Sequence, residues 1–464
     1  FFPLTRYMIQ APPTGTNSYD PATLVVILPI HQRGNDEYRC GDMSMSSMMT
    51  ALSILYTLEN PLLVSSLYRF NLRALIIDNC ANTLRIDQDL MSLFTEGDLC
   101  NDEFDTLGSI IDKSTVMGVQ TTSSRYVVAA NRITAQMQIQ LMSSSASSTA
   151  LSDRWRYPYF TRTVPPDNVQ MALIAKILKE NNWSYVGVIY TLESYGINGY
   201  RTLQDIVNTG ALSCIGVAQG VSVNAPSKDL RAAVKTIGET EGVGVIVLIV
   251  ANPRPILDAL IAEGVANRFV VIGTDAWGKS YTIIEGVADQ FAGAMTISFR
   301  DAYYLPFIDH VRRITYTNRM GLPTDWFEEF YQRMHECHLT DARKPQTQYT
   351  TTCTKNLRIS IDQVRKYGEQ LHPIMATLAL GKGLSMFASN YGCGTNTFTQ
   401  CMDKVANSRD ALFNMTLQQT QQMIASELDP PDNFKLELGY DDRYWNVGYT
   451  VWSVRRAGTY DKVK

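Results

Sequence analysis

Residues 143–167, SSSASSTALSDRWRYPYFTRTVPPD, separate two stretches that each read as scaffold. They follow the apolar run Ile139-Gln140-Leu141-Met142 and begin with six consecutive Ser or Ala residues. A buried strand therefore opens into hydroxyls and accessible backbone N–H groups. In open α/β sheets ligands lie beyond the carboxyl ends of the strands, and amide-lined turns there suit anions. An ordinary polar loop has the same composition. What sets this one apart is its sequel: an aromatic patch (Trp155, Tyr157, Tyr159, Phe160), then Thr163-Val164-Pro165-Pro166-Asp167, whose consecutive prolines impose an extended crossing. A stiff crossing after a binding turn predicts passage from one domain to another.

Outward from this stretch, apolar runs alternate with helical patterns. Leu24–Ile30, Leu72–Ile77 and Met117–Val119 read as buried strands, separated by helix-length segments such as Met43–Thr57 and Gln88–Thr95. That alternation predicts a parallel sheet covered by helices on both faces. After the crossing the pattern restarts, with Val169, Ala172, Leu173 and Ile177 at helical spacing and strands at Tyr185–Tyr190, Val243–Val250, Phe269–Ile272 and Gly293–Phe299. The chain is expected to return to the first domain near Arg300. There Phe327, Phe330 and Tyr331 share a helix, and Gln363–Met386 reads as a long core helix or a pair. A last crossing near Asp429-Pro430-Pro431 leads to closing strands at Leu436–Leu438 and Trp445–Val454. The fold class is thus α/β, a two-lobed clamshell with each lobe a parallel sheet flanked by helices. The first lobe takes residues 1–163 and 300–429, the second 164–299 and 430–464.

A chain of 464 residues exceeds a single core, in keeping with two lobes. With a net charge of −4 and no basic block, nothing attracts a nucleic acid. No stretch approaches the ~20 apolar residues that span a bilayer, and FFPLTRYMIQ lacks the charged start and small-residue cleavage site of a signal peptide. Eight cysteines set the compartment: Cys40, Cys80, Cys100, Cys214, Cys337, Cys353, Cys393 and Cys401. Short spacings among the last four suggest loops stapled by disulfides. The sequons Asn182-Trp183-Ser184 and Asn414-Met415-Thr416 permit glycosylation at Asn182 and Asn414. Together these favour an extracellular chain. Zinc on His335-Glu336-Cys337-His338 competes, but no second cluster has matching ligand spacing, so no metal and no cofactor is expected.

Three runs carry a resemblance: LSDRWRYPYFTRTVPPDNVQ, NNWSYVGVIYTLESYGINGY from Asn181 to Tyr200, and VVIGTDAW from Val270 to Trp277. They resemble the amino-acid-binding ectodomain of metabotropic glutamate receptors, class C G-protein-coupled receptors, and the likeness runs in order from Leu28-Pro29-Ile30-His31 to about Cys401. It implies a periplasmic-binding-protein type I-like fold at the extracellular face of the plasma membrane. It also implies a homodimer or heterodimer through first-lobe helices near Met43–Tyr56 and Phe104–Lys113, and a G protein reached through a membrane portion beyond this chain. The implied disulfides are Cys40–Cys80, Cys337–Cys353 and Cys393–Cys401. Cys100 would join protomers, and Cys214 would pair with a cysteine-rich module outside the chain.

A free amino acid is a zwitterion whose carboxylate needs donors and whose ammonium needs acceptors. Ser124 matches the family's carboxylate-binding Ser, and Ser147 matches a Thr; Ser145 of the serine cluster is counted with them. Asp167 matches an acid that helps hold the ammonium, Tyr195 the ring covering it, and Asp275 in Gly273-Thr274-Asp275 completes the cage. Ser124 and Ser147 are assigned to the first lobe, Tyr195 and Asp275 to the second, so lobe closure would complete the contacts. Two departures bear on specificity: Met48 stands where the family's Arg holds glutamate's side-chain carboxylate, and Ala81 replaces a Trp. Lys404 is the candidate for a Lys reaching that distal carboxylate. A buried carboxylate without its cation is costly, so an α-amino acid other than glutamate is expected, with an apolar side chain if Met43, Met45, Met48 and Met49 line the pocket. A periplasmic or secreted solute-binding protein and a receptor guanylate cyclase ectodomain share the architecture. A hydrolase lacks support: His31, His310, His335, His338 and His372 are read as lying away from the serine cluster, and there is no G-x-S-x-G and no G-x-G-x-x-G dinucleotide loop.

Overall fold

The computed structural model describes residues 6–10, 21–34, 39–59, 70, 72–94, 113–210, 213–300, 303–368, 370–394, 396–422, 437–438, 445–446 and 448–463. The chain divides into two compact units. One comprises Phe1–Ser145, Arg154–Thr163 and Ala302–Trp445, the other Ala146–Asp153, Val164–Asp301 and Asn446–Lys464.

The first unit is built on a six-stranded sheet. Its strands run in the order Arg6–Gln10, Arg73–Asp78, Thr23–Leu28, Val116–Thr121, Leu141–Ser143, Phe160–Arg162. All pairs are parallel except the first. Thr23–Leu28, Arg73–Asp78 and Val116–Thr121 are buried at every position, which is what a parallel strand covered on both faces requires. The helix Met45–Leu58 begins at Ser44, whose hydroxyl accepts the Ser47 N–H, and is buried nearly all round. Met43, Met45, Met48 and Met49 are buried with it. These methionines form part of the first unit's core, and the Met43–Tyr56 segment, one of the two expected at a dimer surface, is buried along most of its length. The other proposed dimer segment lies mostly outside the described residues.

Of the two alternatives expected over Gln363–Met386, one long core helix or a pair, the chain forms the pair, Ile361–Lys366 and Leu371–Asn390, parted at Gly368, whose φ of +97° ends the first. Disulfides join Cys40 to Cys80, Cys337 to Cys353 and Cys393 to Cys401 in this unit. Cys337 is therefore committed to sulfur, and the His338 ring bonds the Tyr349 carbonyl at 3.0 Å, which leaves the competing zinc motif without its thiolate. Cys100 and the crossing near Asp429 lie outside the described residues.

The second unit holds a seven-stranded sheet, in the order Cys214–Val221, Tyr185–Thr191, Val245–Ile249, Val270–Gly273, Met295–Phe299, Tyr449–Val454, Tyr460–Lys462, parallel through the first five strands and antiparallel at the last two. The period-2 rule assigns its faces. Val245, Val247 and Ile249 pack with Met171, Ile174 and Leu178 of the helix Asp167–Glu180. Ile246 and Leu248 pack with Leu230, Val234 and Ile237 of the helix Ser227–Glu239. Cys214–Val221 was not anticipated, because its glycines break the apolar run; Gly216 makes room for the Tyr185 ring, which a Cβ would meet at 2.2 Å. The strand expected over Trp445–Val454 is interrupted at Gly448, at φ +72°.

One short segment changes sides relative to the sequence reading. Ala146–Asp153 belongs to the second unit, because the Ser148 hydroxyl lies 3.0 Å from both the carbonyl and the hydroxyl oxygen of Ser194, at the start of the helix Ser194–Gly210. Ser147, assigned above to the first lobe, therefore sits in the same unit as Tyr195 and Asp275.

Candidate functional site

Apart from Lys404, the candidate ligand-binding residues follow the carboxyl ends of parallel strands, where such sheets leave backbone and side chains free. In the second unit Val270–Gly273 ends at Thr274-Asp275, and Tyr185–Thr191 ends before the helix carrying Tyr195. Gly196 permits the tight entry to that helix, since a Cβ there would fall 2.2 Å from the Thr191 carbonyl oxygen. Glu193 fixes the same turn: its carboxylate accepts the N–H of Tyr195 at 2.8 Å and of Gly196 at 3.0 Å. Asp167 opens its helix, fully buried, with its N–H donated to the Ser147 carbonyl at 2.7 Å.

These elements bring four of the expected residues together. The Tyr195 hydroxyl lies 2.6 Å from Asp275 Oδ1 and 2.7 Å from Thr274 Oγ1. The Ser147 hydroxyl reaches Asp275 Oδ2 at 3.4 Å. Gln170, which sequence reasoning missed, links the two acids: its Nε2 donates to Asp275 Oδ1 at 2.7 Å and to Asp167 Oδ1 at 3.2 Å, while its Oε1 accepts the Asp275 N–H at 2.7 Å. The available signal was its place one turn after Asp167, on the same helix face. Among the described residues every partner of Asp275 is neutral. Burial pushes its carboxyl pKa up, against the opposing pull of the Tyr195 and Gln170 hydrogen bonds. Burial and the negative charges of Asp275 and Asp167 likewise hold the Tyr195 phenol well above its usual range. The result is an acidic, neutral-donor cage suited to a small cation.

Ser124, Ser145 and Lys404 belong to the first unit. Ser124 is buried at the first position of the helix Ser124–Thr134, directly after the strand Val116–Thr121. Ser145 is exposed, its N–H donating to Ser143 Oγ at 3.3 Å. Lys404 is exposed at the end of the helix Phe398–Lys404, and Met48 is fully buried. One histidine departs from expectation: the Thr163 hydroxyl lies 3.5 Å from the carbonyls of both Ser144 and His372, so His372 backbone adjoins the serine cluster.

Residues 65–406 match the receptor family ligand binding region. The chain belongs to this family. It is 31% identical over 221 residues to a metabotropic glutamate receptor of Drosophila melanogaster, covering 47% of this chain and 22% of that protein. It is 25% identical over 361 residues to metabotropic glutamate receptor 6 of Oryctolagus cuniculus, covering 73% of this chain and 41% of that protein. The chain thus spans less than half the length of these relatives. It is a metabotropic-glutamate-receptor-like, class C receptor ligand-binding domain with a type I periplasmic-binding-like fold. Among the described residues no helix is long and apolar enough to cross a membrane. In this ligand-binding domain Cys214 is free and exposed. Asn182 lies exposed in the turn before Tyr185, whereas Asn414 lies exposed on a helix with Thr416 of its sequon fully buried.

Proposed function

We propose that this receptor domain senses an α-amino acid, and that the second-unit cage receives the ammonium group. The observation that carries the reading is Asp275, a carboxylate whose partners among the described residues are all neutral, with Asp167 tied to it through one amide. An ammonium supplies the cation and three donors for this set. Ser147, with Ser124 and Ser145 of the first unit, is proposed to donate to the α-carboxylate, and Lys404 to a distal anionic group where the ligand has one. Ligand-driven lobe closure, through differential affinity for the closed state, is the proposed signal. Dimerisation through the first lobe and coupling to a G protein through a membrane portion are proposed for the whole receptor. Three disulfides and the exposed Asn182 support placement at the extracellular face of the plasma membrane. No catalytic step is proposed.

Met48 stands where the family resemblance places an Arg, and it is buried among apolar side chains. A neutral side chain on the ligand is therefore expected to bind better than glutamate's carboxylate. Calorimetric titration of the common L-amino acids tests both parts. At least one neutral amino acid should bind, and Asp275→Asn should weaken it by tenfold or more, since truncating one side of a buried charge pair costs about 2–5 kcal/mol. Strong preference for glutamate over neutral amino acids would refute the specificity. Absence of binding by all of them would refute amino-acid sensing, leaving a subunit that acts only as a partner.

A further inference from the structure

Asp167 and Asp275 come from different elements, the first turn of a helix and the loop after a strand, and two like charges brought to one place are eased by a neutral donor shared between them. Gln170 is that group. It is fully buried, so bulk water cannot stand in for it. Its amide cannot flip without loss, because Oε1 accepts the Asp275 N–H at 2.7 Å, which turns Nε2 toward the acids. The two hydrogens of Nε2 are then both used, one on Asp275 Oδ1 at 2.7 Å and one on Asp167 Oδ1 at 3.2 Å. Tyr195, from a third element, approaches the same Asp275 oxygen at 2.6 Å. Among the described residues the titratable groups bonded within this cluster are Asp167 on the amide's own helix, Asp275 from the strand end and Tyr195 from the neighbouring helix.

We propose that Gln170 is a positioning residue of the cage: its amide sets Asp167 and Asp275 in the register in which one ammonium group meets both. The proposal rests on the amino-acid-sensing reading for its purpose, but its geometry is testable without a ligand. In Gln170→Leu the Asp275 N–H loses its acceptor and both carboxylates lose their shared donor, so each feels the other's charge directly. In Gln170→Glu the backbone acceptor survives, while the second oxygen, once ionised, adds a third negative charge to the cage.

The experiment follows the carboxyl signals of the full chain, labelled with ¹³C at aspartate Cγ, through a pH titration in the absence of any amino acid, with Asp275→Asn assigning the Asp275 signal. Asp275 should titrate about one pH unit or more higher in Gln170→Leu than in the unsubstituted chain, and higher still in Gln170→Glu. Adding Asp167→Asn to Gln170→Leu should reverse much of the shift, and Asp167→Asn alone should move Asp275 much less. A purely structural glutamine would lower the melting temperature and leave the Asp275 titration in place. An unchanged Asp275 in the substituted chains, or an Asp167→Asn effect of equal size with and without Gln170, would overturn the proposal. If Gln170→Leu does not fold, Gln170→Met, which keeps the side chain's length and removes the same donor and acceptor, takes its place in both comparisons. Failure of every amino acid to bind the unsubstituted chain would sink the sensing reading and leave this measurement standing.

Discussion

Substituting His31 by Gln should remove a proton-linked part of the first unit's stability, and the pH dependence distinguishes that loss from simple loss of packing. The ring sits between two acids: Nδ1 lies 2.5 Å from Asp78 Oδ2 and Nε2 3.3 Å from Glu329 Oε2, with the His31 side chain only 12% exposed. Burial by itself would lower the imidazole pKa, but the hydrogen bonds and charges of Asp78 and Glu329 outweigh it and raise the value from 6.5 to about 9. The same contact acts on Glu329 in reverse. There burial would raise the pKa, while His31 and Lys344 bring it from 4.5 to about 2. Both shifts describe one interaction and are not summed. At 1.36 kcal/mol per pH unit, the His31 shift corresponds to about 3 kcal/mol. Because the folded pKa is the higher one, this stability is fully present below pH 6.5 and is lost as the pH rises through 9. The Glu329 side is present above pH 4.5 and is lost as the pH falls through 2. Urea unfolding with disulfides intact, at pH 5.5 and 9.5, is the assay. His31→Gln should cost about 3 kcal/mol more at pH 5.5 than at pH 9.5. A destabilisation equal at the two pH values would refute the buried ion triad, since lost packing does not titrate.

Three further outcomes are expected. Tyr195→Phe removes the hydroxyl nearest Asp275 and should raise the Asp275 pKa further while lowering stability by about 1.5–3 kcal/mol, the usual worth of a hydrogen bond to a charged group; urea unfolding and carboxyl NMR read the two effects. Gly196→Ala forces a Cβ into contact with the Thr191 backbone and should cost about 1–3 kcal/mol or more, seen as a lowered melting temperature. Cys214, exposed and free, should react with iodoacetamide in the folded protein without reductant, whereas peptide mapping should find Cys40, Cys80, Cys337, Cys353, Cys393 and Cys401 protected.

The alternation of apolar runs made the α/β class legible, because strands such as Thr23–Leu28 are buried on both faces and leave a continuous apolar signature. Where a strand was edge-like or glycine-rich, as at Cys214–Val221, that signature vanished and the element was missed. Helix and strand ends slipped at Gly368 and Gly448, where a positive φ interrupts an otherwise periodic pattern. Of the cluster, Asp167, Tyr195 and Asp275 were named through the family resemblance, residue by residue, and not through any periodicity. Gln170 was not, since a neutral amide on a helix face has no pattern of its own until the strand-end acid is placed against it. The placement of Ser147 depended on which helix its loop packs against, through the Ser148–Ser194 contacts, and loop packing leaves no periodicity to read.

On the proposed amino-acid-sensing reading, ligand affinity should depend on acidity. An ammonium interacts with Asp275 only when that carboxyl is ionised, and burial among neutral donors keeps it protonated to a higher pH than an ordinary aspartate. Binding a cation must then expel the proton, so affinity should rise with pH through the raised Asp275 value and approach a tenfold gain per pH unit below it. The amino acid's own ammonium stays charged over that range and contributes no slope. Calorimetry in two buffers of different ionisation enthalpy measures the released proton directly, and the release should vanish in Asp275→Asn. An affinity flat through the range in which Asp275 titrates would mean that the ligand's ammonium does not meet this carboxylate, and the contacts among Asp167, Gln170, Tyr195 and Asp275 would then serve the packing of the second unit alone.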